Sequence, residues 1–365
     1  MPLPPPETDV NPPPATVLSG GNRLWDGIKK GVVAAIAPLI GAILALGIGG
    51  ILIGLGGVNP LVAYQEMMAG AFGGTRQLTE TVLKATPLLI IALGLTIAFR
   101  SKVWNIGAEG QYYMGALAGS VVALTLPEWS PWMLIPLMLV AGAGGGALWS
   151  AVAGVLYLTR GTNIIICTLM LNYIAILLVT YATRVPLRDP DGFLPESAQF
   201  SAAAQIPTLF GRIHIGVFLA LLLAGVVSVL LWRTPLGFKL RAVGYSASVA
   251  RATGIRVAQH LLIAIMLSGA FAGVAGIIET SYIYTRLKAG ISPGYGFSAI
   301  LVALMGQLHP VGVLIAAVLF SALTIGAESL QVSLQVPAAV AQVIQALVVL
   351  FAISSDALAR RNVDN

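Results

Sequence analysis

The sequence predicts an all-α fold: a polytopic membrane bundle of about ten transmembrane helices, one of them broken or re-entrant, with both termini in the cytoplasm. Three observations predict it. Of the 365 residues, 57% are hydrophobic and only 9% are charged, whereas roughly a quarter of the residues of a soluble domain carry charge. The apolar residues form runs of membrane-spanning length, and Lys and Arg are concentrated in alternate loops. An ordinary soluble enzyme is excluded, since the apolar surplus must face lipid.

Both ends of the chain are polar. Residues 1–30 open with seven prolines within the first 14 positions, which is typical of an extended, disordered segment. The segment lacks the basic start and the small-residue cleavage site of a secretory signal. We therefore expect residues 1–30 and 357–365 to be cytoplasmic tails on either side of a transmembrane domain over residues 31–356.

The domain between the tails contains ten apolar stretches. About 20 helical residues cross the hydrocarbon core of a bilayer. The predicted spans are residues 32–57, 79–99, 106–126, 133–158, 164–183, 215–232, 261–284, 296–308, 311–330 and 337–355. The stretch 296–308 is too short for a straight crossing and follows Ser292-Pro293-Gly294. We therefore expect a broken or re-entrant helix there, covered by protein or lining a cavity.

Lys and Arg in the loops set the orientation. With the N-terminus inside, thirteen basic residues lie on the cytoplasmic side and six outside, as the positive-inside rule requires. Two loops are long. The outer loop, 184–214, mixes acids and arginines, while the inner loop, 233–260, carries five basic residues and no acid.

Glycine is frequent, with 41 residues, and clusters within spans, as in Gly142, Gly144, Gly145 and Gly146. Small residues let helix backbones approach closely in lipid. Glycine runs also permit bending. The pattern favours close packing over a hinge.

Polar side chains open the third span, at Asn105, Glu109 and Gln111. A charge near hydrocarbon is costly, so Glu109 should face a partner, a cavity or water rather than lipid. Asn105 could cap the helix, and the helix dipole would favour Glu109 near its N-terminus. The alternative is that this segment contributes to a translocation path.

Asn172 and Tyr173 lie within the fifth span, and Glu279 and Glu328 within the seventh and ninth. In lipid, such groups must find partners on other helices. Hydrogen bonding between helices is one interpretation of the amide and the phenol, and contact with a solute is the other. For the two glutamates, burial against a donor and the lining of a polar path remain equally open.

The remaining chemistry-bearing residues predict structure rather than catalysis. Lys84, the only basic residue within a predicted span, has Glu80 four residues before it and could form a pair on the helix surface. Cys167 lies in an apolar run, and its expected role is packing. No phosphate-binding loop or metal-ligand spacing occurs in the sequence, so the chain alone should not hydrolyse ATP.

The inner loop predicts a short helix over about 247–253. Ser246 can cap its N-terminus, and Gly254 can supply the left-handed residue that ends it. This basic helix could be a surface helix held by anionic lipid, or a lever inserted into a partner protein. The pattern alone does not choose between the two.

Four motifs together resemble permease subunits of bacterial ABC importers, the group that includes branched-chain amino acid and simple-sugar permeases. More specifically, they resemble nucleoside-importer permeases associated with basic-membrane-protein-type binding lipoproteins. The resemblance covers roughly residues 30–356. The motifs are Asn105 to Gln111, Thr168 to Ala175, Gly244-x-Ser246-x-x-x-Ala250-x-x-x-Gly254-Ile255, and Ser292-Pro293-Gly294-Tyr295-Gly296-Phe297.

The resemblance implies a multi-pass protein of the bacterial plasma membrane that pairs with a second, related permease. A separate ATPase chain would bind ATP and Mg²⁺, an external binding protein would deliver the solute, and this chain would hold no cofactor, metal or catalytic residue. The inner-loop helix would be the coupling helix. Its contacts with the ATPase would be Gly244, Tyr245, Ser246, Ala250, Arg251 and Gly254.

A nucleoside is the solute that the resemblance implies. Aromatic and amide groups in the path suit it, because it has a ring that can stack and hydroxyls that form hydrogen bonds. A simple sugar or a branched-chain amino acid is the alternative. The candidate path residues are Asn105, Glu109, Gln111, Asn172, Tyr173, Glu279 and Glu328.

Two other classes of function remain to be tested. An ion-coupled secondary carrier would use Glu109, Glu279 and Glu328 as proton sites. A membrane enzyme is disfavoured, because the sequence contains no recognisable nucleophile, acid–base pair or metal cluster.

Overall fold

A computed structural model describes residues 43–337, 339–340, 342–351 and 354. The predicted tails at 1–30 and 357–365, and the first residues of the first predicted span, lie outside the described residues. Within them the chain is almost entirely helical. A two-stranded antiparallel hairpin in the outer loop is the sole sheet of this part of the chain.

The helices follow in chain order and are numbered as follows: α1 Ile43–Leu55, α2 Pro60–Phe72, α3 Thr75–Arg100, α4 Ala108–Thr125, α5 Pro131–Arg160, α6 Ile164–Arg184, α7 Ile215–Arg233, α8 Pro235–Tyr245, α9 Ala247–Ala252, α10 Val257–Glu279, α11 Tyr295–Met305, α12 Pro310–Ser333 and α13 Gln342–Phe351. A 3₁₀ turn, Ala202–Ala204, precedes the strands β1 Thr208–Phe210 and β2 Ile213–His214. A π-helical turn, Thr280–Tyr284, extends α10.

The prediction of an all-α polytopic membrane bundle is confirmed. Six of the described helices are long and apolar enough to cross a membrane, or seven if α1 and α2, bent by 113°, form one broken span. The other predicted spans correspond to α4, which is more polar, and to α11 and α13, which are short. The expected count of about ten spans therefore exceeds the six or seven described spans that are both long enough and apolar enough to cross a membrane.

Glycine packs α4, α5 and α10 against one another. A Cβ atom at Gly273 of α10 would overlap the carbonyl oxygen of Gly142 on α5, and one at Gly146 would overlap the carbonyl oxygen of Gly269. A Cβ atom at Gly115 of α4 would overlap the backbone of Gly273. Backbones in lipid approach this closely only at small residues. Close packing, the favoured interpretation of the glycine clusters, is confirmed at these crossings.

Helix α3 lies at the centre of the bundle. Every residue from Leu88 to Phe99 is buried, and α3 packs against α7, α10, α11 and α12. Lys84 lies four residues before this buried run, and its side chain is 18% exposed.

Some loop residues that the charge pattern assigns to the same side of the membrane contact one another. Three residues assigned to the outer side meet: Arg286 donates to Glu196 at 3.1 Å, and Glu196 forms a backbone bridge with Lys288. At the other end, α8 and α9 form the inner loop beside the last turn of α3.

Candidate functional site

A polar cavity lies in the half of the bundle that contains the first turns of α3 and the last turns of α12. It has two adjoining compartments of about 260 and 350 Å³. We call the first the amide compartment, after Gln331, Gln342 and Gln345. We call the second the acidic compartment, after Glu80, Glu279 and Glu328. Both are lined by Lys84, Pro293, Tyr295 and Glu328.

An ion pair between Lys84 and Glu328 joins α3 to α12 where the compartments meet. The Lys84 side chain is 18% exposed and that of Glu328 is 56% exposed. The expected pair of Lys84 with Glu80 is wrong. Glu80 instead pairs with Arg212 of the outer loop, because the folded bundle places a carboxylate of α12 beside Lys84 and an arginine of the outer loop beside Glu80.

Glu279 lies at the end of α10, at the wall of the acidic compartment. It is 7% exposed, and the hydroxyl of Tyr295 donates to its carboxylate at 3.3 Å. The chain then passes into the π-helical turn Thr280–Tyr284. Such turns are rare in proteins, but where they occur they often lie at functional sites. Both glutamates of the seventh and ninth predicted spans therefore line the polar cavity.

Glu109 lies between two helix N-termini. Its carboxylate accepts the backbone N–H of Gly296 at 2.7 Å and a hydrogen bond from the side chain of Ser292. It is 3% exposed, in the first turn of α4 and against the first turn of α11. Partial positive charge at both N-termini stabilises the carboxylate. This placement matches the expected partner of the helix dipole, and Glu109 is not among the residues that line the two compartments. The expected cap by Asn105 is wrong: α4 begins after Gly107, no side chain caps it, and Asn105 accepts the N–H of Gly107 ahead of the helix.

Asn105 and Gln111 bind each other in the interior. The Asn105 amide donates to the side-chain oxygen of Gln111 at 2.9 Å, and the Gln111 amide donates back at 2.9 Å. Asn105 also donates to the hydroxyl of Ser268 on α10 at 3.0 Å. Both amides are thus satisfied by protein partners, and neither lines the cavity.

Asn172 connects α6 to the first turn of α4 and to the segment before it. Its side-chain oxygen accepts the N–H of Gly110 at 2.8 Å, and its amide donates to the carbonyl of Ile106 at 2.9 Å. Its neighbour Tyr173 points away from the bundle and is 59% exposed. Hydrogen bonding between helices is therefore confirmed for Asn172, and Tyr173 lies outside the cavity.

The short helix predicted in the inner loop is confirmed as α9. The Ser246 hydroxyl accepts the N–H of Val249 at 3.4 Å, as an N-cap does. The helix ends at Ala252, one residue earlier than predicted, and Gly254 follows with φ of 83°. A residue with a side chain would be strained in this left-handed conformation, so the position after the end of α9 favours glycine.

The six residues expected to contact an ATPase divide into two groups. Gly244 and Ala250 are buried, and a Cβ atom at Gly244 would overlap the carbonyl oxygen of Arg100. The other four lie at or near the surface, and they are Tyr245, Ser246, Arg251 and Gly254. An apolar groove of about 600 Å³, lined by Phe238, Tyr245 and Val249 among others, separates α8 from α9.

Comparison with known proteins identifies the family of this chain. A family model described as the branched-chain amino acid transport system permease component matches residues 77–353. The chain belongs to this family. It is a multi-pass membrane protein and the permease subunit of an ABC importer, not itself catalytic, and it works with an ATPase and a binding protein.

Three relatives resemble this permease over most of its length. The glucose ABC transporter permease protein TsgB13 of Haloferax volcanii is 35% identical over 89% of each chain. The guanosine ABC transporter permease protein NupP of Bacillus subtilis is 33% identical over 88% of this chain and 94% of its own. The nucleoside ABC transporter permease protein NupB of Lactococcus lactis is 28% identical over 87% of this chain and 90% of its own.

Much of the permease cavity is lined by residues that were not among the predicted path residues. Thr324, Glu328 and Gln331 follow one another at spacings of four and three residues, which places them on one face of α12. Gln342 and Gln345 have the same spacing on α13, and the Gln345 amide donates to the Thr324 hydroxyl at 2.8 Å. This helical spacing of polar groups within apolar runs is the signal that could have revealed the amide compartment.

Proposed function

We propose that this permease conducts nucleosides through the cavity formed by the amide and acidic compartments. The topology behind this proposal has ten crossings within residues 31–356, with cytoplasmic tails at 1–30 and 357–365. The outer loop 184–214 then faces the binding protein and the loop 233–260 faces the ATPase. The observation that carries the proposal is the chemistry of the cavity lining.

The lining suits an uncharged solute that forms many hydrogen bonds. Three glutamines present both donors and acceptors, and Tyr295 adds an aromatic ring with a hydroxyl. The charges of Lys84 and Glu328 neutralise each other. A nucleoside offers a flat base to the ring, and base edges and hydroxyls to the amides. The names of two of the three relatives, a guanosine permease and a nucleoside permease, agree with this choice.

Glucose is the second candidate. It is also uncharged and rich in hydroxyls, and the relative named for glucose is the most identical of the three, at 35%. A branched-chain amino acid fits less well, because its own two charges would have to compete with the Lys84–Glu328 pair. An ion-coupled carrier is disfavoured, since the chain belongs to a family of ABC importer permeases and one of its three candidate proton sites, Glu109, does not line the cavity.

The partners of the proposed importer follow from the two ends of the bundle. A second, related permease completes the pathway, and an external binding lipoprotein delivers the solute. The ATPase, which binds ATP and Mg²⁺, contacts the inner loop at Tyr245, Ser246, Arg251 and Gly254. The buried Gly244 and Ala250 shape the loop from beneath.

Uptake by the reconstituted importer tests the proposal. Proteoliposomes that contain both permeases and the ATPase are supplied with the binding protein. They should accumulate labelled nucleoside only when ATP is present on the side of the membrane that carries the ATPase. Excess unlabelled nucleoside should compete, whereas glucose and leucine should not. Competition by glucose alone would identify a sugar permease instead. Uptake driven by a pH gradient without ATP would contradict the proposal.

A pair of matched variants tests whether the solute passes through the cavity. Tyr295→Phe removes a hydroxyl that lines both compartments, and Tyr173→Phe removes one from the outer face of the bundle. Tyr295→Phe should raise the KM for uptake, and Tyr173→Phe should leave it unchanged. Equal kinetics in both variants would place the solute elsewhere.

A further inference from the structure

Four elements of the permease meet at one indole ring. Trp232 lies in the last turn of α7, and three side chains from other elements contact its ring. The guanidinium carbon of Arg100, the last residue of α3, lies 4.9 Å from the ring centroid. That of Arg241 on α8 lies at 5.9 Å. The ring of His309, which precedes α12, has its centroid 4.9 Å away.

These contacts join the inner loop to α3 and α12. An arginine over an indole face is attracted by the ring electrons, most strongly for tryptophan. Arg100 also donates from Nε to the carbonyl of Leu308 at 2.8 Å. Leu308 lies in the turn between α11 and α12 and has φ of 55°. One arginine therefore holds both the indole and the turn from which α12 starts.

Helix α8 cannot shift without moving its neighbours. Gly244 packs directly on the backbone of Arg100, and Gly237 packs on the carbonyl of Leu230 at the end of α7. Leu240 and Val243, between them, are buried. Contacts of backbone on backbone are stiff, because no side chain lies between to absorb a displacement.

The two helices that meet at Trp232 also carry the ion pair of the cavity. Lys84 lies 16 residues before Arg100 on α3, a rise of about 24 Å in a helix. Glu328 lies 19 residues after His309, and α12 connects the two. Both helices are continuous between these residues, although α3 contains Pro87, so displacement at one end is carried towards the other. Movement at Trp232 that shifts α3 relative to α12 would therefore change the distance between Lys84 and Glu328.

We propose that Trp232 is a positioning residue that conveys displacement of the inner loop to α3 and α12, and so couples ATP hydrolysis to the opening of the cavity. This inference rests on the proposed function. Trp232 does not touch the solute. A tryptophan at the end of a spanning helix is ordinarily an interfacial anchor, and that role alone would involve no particular partner on α3, α8 or α12.

The test measures solute transported per ATP hydrolysed in proteoliposomes with the complete importer. Trp232→Ala should still assemble with the ATPase and hydrolyse ATP, while solute transported per ATP falls about tenfold, as expected when two cation–π contacts are lost. Trp232→Phe, which keeps a ring face, should recover most of the ratio. The control is Trp132→Ala, at an 87% exposed tryptophan at the start of α5, and its ratio should equal that of the wild type.

A second variant keeps the inference testable if Trp232→Ala is poorly inserted. Arg241→Gln removes the guanidinium group of α8 that faces the indole and leaves the indole itself, and it should lower the same ratio. The inference is overturned if the assembled variants transport the wild-type amount of solute per ATP, even at lower total rates. A wild-type importer that shows no ATP-dependent uptake would instead overturn the proposed function.

Discussion

Removing one partner of the Lys84–Glu328 pair should have unequal costs on the two sides. Glu328→Gln leaves an ammonium group that is only 18% exposed without its carboxylate. The loss of one partner of a fully buried pair costs about 3–5 kcal/mol, so we expect about 2 kcal/mol at this partly buried site. Lys84→Met leaves a carboxylate that is 56% exposed and that water can solvate. Its cost should be about 1 kcal/mol or less.

The double variant sharpens this prediction. With both charges removed, no unpaired ion remains, so the double variant should lose less free energy of unfolding than the sum of the single variants, by about 1 kcal/mol. Denaturant unfolding of the purified permease in mixed micelles measures the four free energies. The Glu80–Arg212 pair, whose side chains are 32% and 55% exposed, is the control, and Glu80→Gln should cost about 0.5 kcal/mol. Additive effects, or a larger cost for Lys84→Met, would refute the reasoning.

Three further predictions concern packing, coupling and pH. Gly273→Val should prevent the close approach to Gly142 and reduce the amount of folded permease recovered from membranes, whereas a substitution at the open Gly144 should not. Gly254→Val should cost about 1 kcal/mol at the end of the inner loop and abolish uptake with the protein still in the membrane, and Arg251→Glu should weaken co-purification of the ATPase. Burial lowers the pKa of His214, just before α7, from 6.5 to about 4. The folded state therefore binds a proton at His214 less readily than the unfolded state does. The contribution of neutral His214 to the free energy of unfolding should be complete above pH 6.5 and should be lost as the pH falls towards 4. Unfolding of wild type and of His214→Asn as a function of pH measures this contribution.

The sequence predicted local features well where one short segment determines them. The cap at Ser246 and the left-handed Gly254 needed only residues within a single turn. The amides Asn105 and Asn172 were understood through a general rule, since polar groups in lipid must find partners. The rule could not name those partners, because Ser268 and Gly110 come from distant segments.

The cavity was harder to predict because it depends on pairs far apart in sequence. Helical spacing placed Glu80 beside Lys84, but 244 residues separate Lys84 from the Glu328 that it contacts. Glu109 had the right chemistry for a path, and only the packing of α11 against α4 showed that its carboxylate is engaged. The surrounding bundle, rather than the span itself, decides which side of a helix faces a cavity.

Modification of a single cysteine in the cavity tests most directly whether this permease carries the solute through it. The natural Cys167 is first replaced by alanine, and Ser298→Cys then places a thiol of nearly the same size in the amide compartment. A small charged thiol reagent should stop ATP-dependent uptake by this variant, solute should protect it, and Tyr173→Cys at the outer face should be insensitive. Full uptake after complete modification of Ser298→Cys would contradict the account.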